Sequence, residues 1–198
     1  RDTDRSRGLG DVYKRQVGYL FGLFQTGYIY SKLHHVDIRK EGSGNAGSTN
    51  VLRVMGVKAG ATVFLGDFFK TLIPCILVRH FFQNQPEMVN LLVLYTAFGV
   101  ILGHNYPFYM GFKGGKGIAA TAGLLVAMDL RVTAVCLIAF ILIVAVTRYV
   151  SLGSLAVVII YLIEVVVYGQ MGGFGVKPPY LYCLLYTSPS PRDRSVSR

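Results

Sequence analysis

The sequence predicts an all-α, polytopic integral membrane bundle, and three observations predict it. Six apolar stretches punctuate the chain, at residues 17–30, 59–82, 89–110, 118–128, 132–146 and 152–168. None carries the polar stripe by which a soluble amphipathic helix meets water. The basic residues between them fall unevenly, eight on one set of loops and two on the other, the asymmetry that sets membrane orientation.

The two ends of the chain are expected to have another origin. Residues 11–16, Asp-Val-Tyr-Lys-Arg-Gln, can be written GAT GTG TAT AAG AGA CAG. The reverse complement, read one base along, is TGT CTC TTA TAC ACA TC, which encodes Cys-Leu-Leu-Tyr-Thr-Ser, the residues at 183–188. Natural tails have no reason to be complementary in codon space. The element resembles the transposon mosaic end of sequencing-library adapters, and 189–193 fit its continuation. Residues 1–16 and 183–198 are therefore expected to be adapter-derived and disordered, leaving 17–182 as a truncated membrane domain. The flanks hold eight of the 20 Lys and Arg and four of the ten Asp and Glu, so net charge falls from +10 to +6. A basic tail that would suggest nucleic acid disappears with them. Cys75 and Cys136 lie in apolar runs and Cys183 in the flank, which is neither a disulfide framework nor a zinc spacing. No metal and no cofactor is expected.

A membrane helix needs about 20 mostly apolar residues. The stretches at 59–82 and 89–110 meet this easily, and 152–168 nearly does. The stretch at 17–30 is cut short by the flank, and 118–146 is read as two short helices turning at Met128-Asp129-Leu130-Arg131. The loops at 31–58, 111–117 and 147–151 then share a face with Lys32, Arg39, Lys40, Arg53, Lys58, Lys113, Lys116 and Arg148. The opposite loops carry Arg79 and Arg131. Six spans are expected, with the N-terminus outside and the basic loops in the cytoplasm.

The first basic loop contains Gly42-Ser-Gly-Asn-Ala-Gly-Ser-Thr-Asn50 and, one helical turn on, Arg53. Gly42, Gly44 and Gly47 match G-x-G-x-x-G, but no strand precedes them and no βαβ unit surrounds them, which excludes a dinucleotide fold. Glycines that let backbone N–H groups converge, with Ser43, Asn45, Ser48, Thr49 and Asn50 as added donors, still make a phosphate cradle. An ordinary glycine turn competes evenly with that reading. The second loop runs Gly103-His104 to Pro107 and Phe112-Lys-Gly-Gly-Lys-Gly117. It is not a Walker A loop: the spacing is one residue short, and Gly117 stands where Ser or Thr belongs. Lys113, Gly114, Gly115, Lys116 and Gly117 open into a helix at Ile118, a place that favours anions. His104 ends a membrane helix, and a hydrogen-bonded packing role outweighs a catalytic base there. Thr147-Arg-Tyr-Val-Ser-Leu-Gly-Ser154 adds Arg148 and Ser151 to the same face. Asp67 and Lys70, three residues apart inside a span, read as a mutual ion pair. Glu164 stands alone in the last span.

These three motifs, in order over most of 17–154, resemble those of the PlsY-type acyl-phosphate:glycerol-3-phosphate acyltransferases. The resemblance implies a bacterial inner-membrane fold of seven helices, six of them present here, with its active-site loops facing the cytoplasm. It implies that the sn-1 hydroxyl of glycerol 3-phosphate attacks a fatty acyl phosphate in phospholipid biosynthesis, releasing lysophosphatidic acid and phosphate. Ser43 and Arg53 match the first motif, and Gly114, Gly115, Lys116 and Gly117 the substrate-binding second. Arg53 and Lys116 are expected as phosphate ligands and Ser43 as a donor to substrate. Substrate phosphate could serve as base, which would spare His104. Two departures stand out. Leu23-Phe-Gln25 replaces Ser-Ile-Pro, with little effect expected. The third motif, His-Arg-x-Asn with a later Glu, is missing, and the 198-residue chain is expected to be inactive for want of it. A transporter of phosphorylated metabolites is the rival reading, but it predicts inverted repeats and polar groups at mid-membrane, whereas the polar motifs collect at one face. Lipid acyltransferases of the H-x-x-x-x-D class are disfavoured because no histidine has Asp five residues later.

Overall fold

The computed structural model describes residues 16–170, apart from the side chains of 86, 87, 151, 162, 165 and 168–170. All regular structure among them is helical. Helix α1 covers 16–22, followed by α2 (Thr26–Leu33), α3 (Ser48–Met55), α4 (Val57–Phe81), α5 (Pro86–Asn105), α6 (Ile118–Met128), α7 (Leu130–Thr147) and α8 (Val150–Gln170), with a single 3-10 turn at Phe108–Met110. Every apolar stretch of the sequence is helical, but the six are not equal spans. Three segments among the described residues are long and apolar enough to cross a membrane, Val57–Phe81, Met88–Met110 and Leu130–Thr147. The 11 residues of α6 rise only about 16 Å, half of a bilayer core.

The expected turn between α6 and α7 falls at Asp129, whose carboxylate accepts the Arg131 N–H at 2.6 Å and caps α7. Arg79 closes the same end of the bundle. Its guanidinium donates to Asn90 Oδ1 at 3.1 Å and to the Ala127 carbonyl at 2.8 Å, satisfying one of the last acceptors of α6.

The first apolar stretch departs from expectation, because it breaks at residues 23–25 into α1 and α2. A broken helix inside a membrane frees carbonyls that side chains must then satisfy. Tyr109 Oη donates to the Leu23 carbonyl at 2.6 Å and Lys70 Nζ to the Phe24 carbonyl at 2.7 Å. Gln25 is 1% exposed, and its Nε2 donates to the carbonyls of Gly103 at 3.2 Å and His104 at 2.8 Å. The replacement of proline here thus supplies a tether that proline could not form. Glycines bring α1 and α5 together: Gly18 and Gly22 meet the backbone of Thr96, Gly99, Val100 and Gly103 with no room for a Cβ, the small-residue packing of membrane helices.

The core lies between α4, α5 and α6, where Cys75, Val93, Ala97, Leu124, Ala127 and Met128 pack together. A second cluster under the first basic loop joins Ile38, Ala46, Val51, Ala59, Val63 and Met110. Leu137, Ile138, Ile141 and Leu142 of α7 are exposed, a cost in water that vanishes against lipid.

Candidate active site

The first basic loop is folded by its own amides. Asn50 is 3% exposed; its Oδ1 accepts the Ser43 N–H at 2.8 Å, and its Nδ2 faces the carbonyls of Glu41 and Asn45, both at 3.0 Å. The Asn50 amide, expected from the sequence to face phosphate, is engaged in bracing the loop and lines the cavity described below. Gly42 and Gly44 turn the loop at φ of 59° and 69°, where a Cβ would be strained. Arg39 is committed as well. It grips Asp37 through Nε at 2.9 Å and Nη2 at 3.0 Å, and its guanidinium lies 4.8 Å from the centre of the Tyr28 ring. That hydrogen-bonded pair holds the Asp37 carboxyl down at about 2, below its ordinary 3.8.

Asn45 carries the loop to its neighbour. Its Nδ2 donates to the Gly114 carbonyl at 3.1 Å while its Oδ1 accepts the Gly47 N–H at 2.9 Å. The second loop is pinned from beneath, where the N–H groups of Gly114 and Gly115 reach the carbonyls of Asn105 and His104 at 2.9 and 3.0 Å. Gly117, at φ 76°, turns the chain into α6.

Between the two loops lies a polar cavity of about 260 Å³. Ser43, Asn45, Gly47, Thr49, Asn50, Arg53, His104, Lys116 and Gly117 line it, all singled out in the sequence. Gly42, Gly44, Gly114 and Gly115 shape the loops around it. Lys113 and Arg148 are exposed and do not line it, although Val150 of the third motif does. The Ser151 side chain lies outside the described residues. Ion pairs among the described residues join Arg39 to Asp37 and Lys70 to Asp67. Arg53 and Lys116 take part in none of these, which leaves two cations facing one polar cavity.

Ser48 and Asp67 also line the cavity. The sequence points to Asp67 first as a partner for Lys70 and second as a residue orienting the first loop. The pair forms, at 2.8 Å, but it belongs to a larger buried group. Lys70 Nζ also lies 2.8 Å from His104 Nδ1, and Thr26 Oγ1 donates to Asp67 Oδ1 at 3.0 Å. An ionisable pair in one span, and a histidine 34 residues away at the end of another, were the available signals. Their meeting is a tertiary fact.

A second cavity, of about 320 Å³, opens between α4, α6, α7 and α8. Phe64, Phe68, Leu125, Val126, Leu137, Phe140 and Val157 make it largely apolar, and Lys116 and Ile118 belong to both cavities. An anionic head at Lys116 and an apolar tail below it would be accommodated together.

The family model described as glycerol-3-phosphate acyltransferase matches residues 15–188. A glycerol-3-phosphate acyltransferase of Clostridioides difficile is 49% identical over 70% of this chain and 68% of its own length. One from Halalkalibacterium halodurans is 38% identical over 89% and 85%. The fold is similar to a crystal structure of PlsY (YgiH), an integral membrane glycerol 3-phosphate acyltransferase, in its glycerol 3-phosphate form. The TM-score is 0.73 at 31% identity, covering 88% of this chain and 84% of that one. A lysophosphatidic acid form of the same enzyme aligns at TM-score 0.70.

Proposed function

Because the chain belongs to the glycerol-3-phosphate acyltransferase family, we propose that its site transfers a fatty acyl group from acyl phosphate to the sn-1 hydroxyl of glycerol 3-phosphate. The observation that carries this is the junction of a polar cavity with an apolar one at Lys116 and Ile118. An acyl phosphate has that shape and polarity, a dianionic head on a hydrocarbon chain. Glycerol 3-phosphate brings a second phosphate, and Arg53 is the second cation. In this reading Arg53 and Lys116 bind phosphate, and Ser43 donates to substrate.

The sn-1 oxygen attacks the acyl carbonyl carbon, and the new C–O bond forms as the carbonyl becomes a tetrahedral oxyanion. That intermediate collapses with loss of inorganic phosphate, leaving lysophosphatidic acid. The hydroxyl proton passes to a phosphate oxygen of the substrates. Acyl phosphate is already activated, so no acyl-enzyme is required. The chain's contribution is to hold both reactants in line and to set cations and N–H groups where negative charge develops. The eight-to-two distribution of basic residues supports an inner-membrane protein with these loops on the cytoplasmic side.

The test is direct. Membranes bearing the gene product read through to the expected His-Arg-x-Asn segment receive labelled acyl phosphate and glycerol 3-phosphate. Labelled lysophosphatidic acid is expected, and acyl thioesters should not replace acyl phosphate. Uptake without product would point to the transporter. Product from thioester alone would overturn the donor.

A further inference from the structure

We infer that Lys70 holds His104 as the neutral tautomer with its proton on Nε2, so that the ring offers the polar cavity a hydrogen-bond donor and not a base. The inference begins with the Lys70 ammonium, which has three N–H donors and no acceptor. Three acceptors surround it: the Phe24 carbonyl at 2.7 Å, Asp67 Oδ1 at 2.8 Å and His104 Nδ1 at 2.8 Å. Each of its hydrogens therefore has a partner, and Nδ1 meets the third with its lone pair. An Nδ1–H, in either the other tautomer or the imidazolium, would press a hydrogen against an ammonium at that distance. Asp67 offers no alternative partner, because its Oδ1 is 3.7 Å from Nδ1, beyond hydrogen-bond reach. The carboxylate instead serves as counter-charge to Lys70, with Thr26 donating to it.

With Nδ1 occupied by a lone pair, the ring proton is on Nε2. That edge faces Gly115, where an added Cβ would overlap it, and His104 lines the cavity. Lys70 anchors the ring, and the backbone that carries it is anchored as well. The His104 carbonyl is held by Gln25 Nε2 at 2.8 Å and by the Gly115 N–H at 3.0 Å. Lys70 and Asp67 are thus positioning residues, acting on the cavity through His104. The other charged groups facing it are Arg53 from α3 and Lys116 from the second loop. A neutral donor beside two cations suits an anionic oxygen, a phosphate or a developing oxyanion. The anion's identity rests on the acyl-transfer reading; the tautomer does not.

The experiment is nitrogen NMR of the full chain in detergent, with ¹⁵N-labelled histidine, which distinguishes pyrrole-type from pyridine-type ring nitrogens. The His104 pair is assigned by its loss in His104→Gln. Wild type should show a pyridine-type Nδ1 and a pyrrole-type Nε2 across neutral pH, and Lys70→Met should mix or reverse them. A pyridine-type Nε2 or a doubly protonated ring in wild type overturns the inference, whether or not Lys70→Met folds. Addition of glycerol 3-phosphate should move the Nε2 signal. In the read-through gene product, His104→Gln keeps an amide N–H near Nε2 and should retain activity within about tenfold, while His104→Ala should lose about 100-fold or more. Equal losses in the two variants would overturn the donor role. Absence of product in wild type as well would sink the acyl-transfer reading and leave the spectrum to decide the tautomer.

Discussion

A methyl group at Gly115 tests the packing of the second loop against its histidine. The backbone there is outside the left-handed region, so alanine meets no conformational penalty and the cost is purely steric. An ideal Cβ would lie no further than 3.0 Å from each of Nε2, Cε1 and Cδ2 of His104. The ring is held by Lys70 and by its own backbone, so the loop must move instead. Overpacking of this kind costs about 1–3 kcal/mol. For a chain of this length that is a fall of about 2–12 °C in thermal midpoint, at about 2–4 °C per kcal/mol. The assay is a double-mutant cycle with His104→Ala, followed by thermal unfolding in detergent. His104→Ala alone leaves a Lys70 donor without its partner, worth about 1–3 kcal/mol. It also empties the space that the new methyl needs. The double variant should therefore be less damaged than the two losses added, by about 1–2 kcal/mol, within the usual range for residues in contact. Additivity to within about 0.5 kcal/mol would refute the contact, and with it the claim that the ring fixes the loop.

Asn45→Ala removes the donor to Gly114 and the acceptor for Gly47; at about 0.5–1.5 kcal/mol each, calorimetry should show glycerol 3-phosphate binding weakened about 5- to 150-fold, and unchanged binding would show that the loops need no bridge. Lys116→Met removes the one cation common to both cavities, and a lost charged hydrogen bond of about 1.5–3 kcal/mol should lower affinity for acyl phosphate about 10- to 150-fold by equilibrium binding. Arg148 caps α7 at φ 60° and is exposed outside the cavity, so Arg148→Gly should relieve about 1–2 kcal/mol of left-handed strain, raise the thermal midpoint and leave glycerol 3-phosphate affinity within about twofold; a large loss of affinity would return Arg148 to the site. The Asp37 carboxyl falls from 3.8 to about 2 on folding, so its contribution is fully present above about pH 3.8 and is lost as pH falls toward 2. Proteolysis of the first loop should therefore be flat from neutrality to about pH 4 and rise below it in wild type, while Asp37→Asn should be susceptible throughout.

Much of the fold was legible because lipid imposes a simple rule. A segment buried in hydrocarbon must satisfy its backbone internally, so an apolar run without a polar stripe is expected to be helical, and every such run here is, although the first is broken in two. The turn at Asp129 was legible from charge, because only a turn there keeps Arg148 on the basic face; that Asp129 caps α7 is what the fold adds. The break at 23–25 was not. Leu23-Phe-Gln25 has no proline or glycine of its own to announce it, and the groups that satisfy the freed carbonyls, Tyr109 and Lys70, come from distant parts of the chain.

The site divides along the same line. Residue type told where the donors and cations lie, since glycines, amides and lysines cluster at the loops. It could not tell which of them the loops consume. Asn50 and Arg39 both brace the first loop, whereas Arg53 and Lys116 enter none of the ion pairs described. That division has a physical origin. A loop rich in glycine loses more backbone entropy on ordering than any other, and each brace fixes a turn that no side-chain packing would hold. Asp67 and Lys70 show the opposite case. Their spacing made a self-contained ion pair the economical reading, yet an ammonium has three hydrogens and a carboxylate three residues away engages only one. The remaining two demanded acceptors in a medium without water. They found the Phe24 carbonyl and His104, which is how a charge inside one helix comes to govern a ring at the end of another.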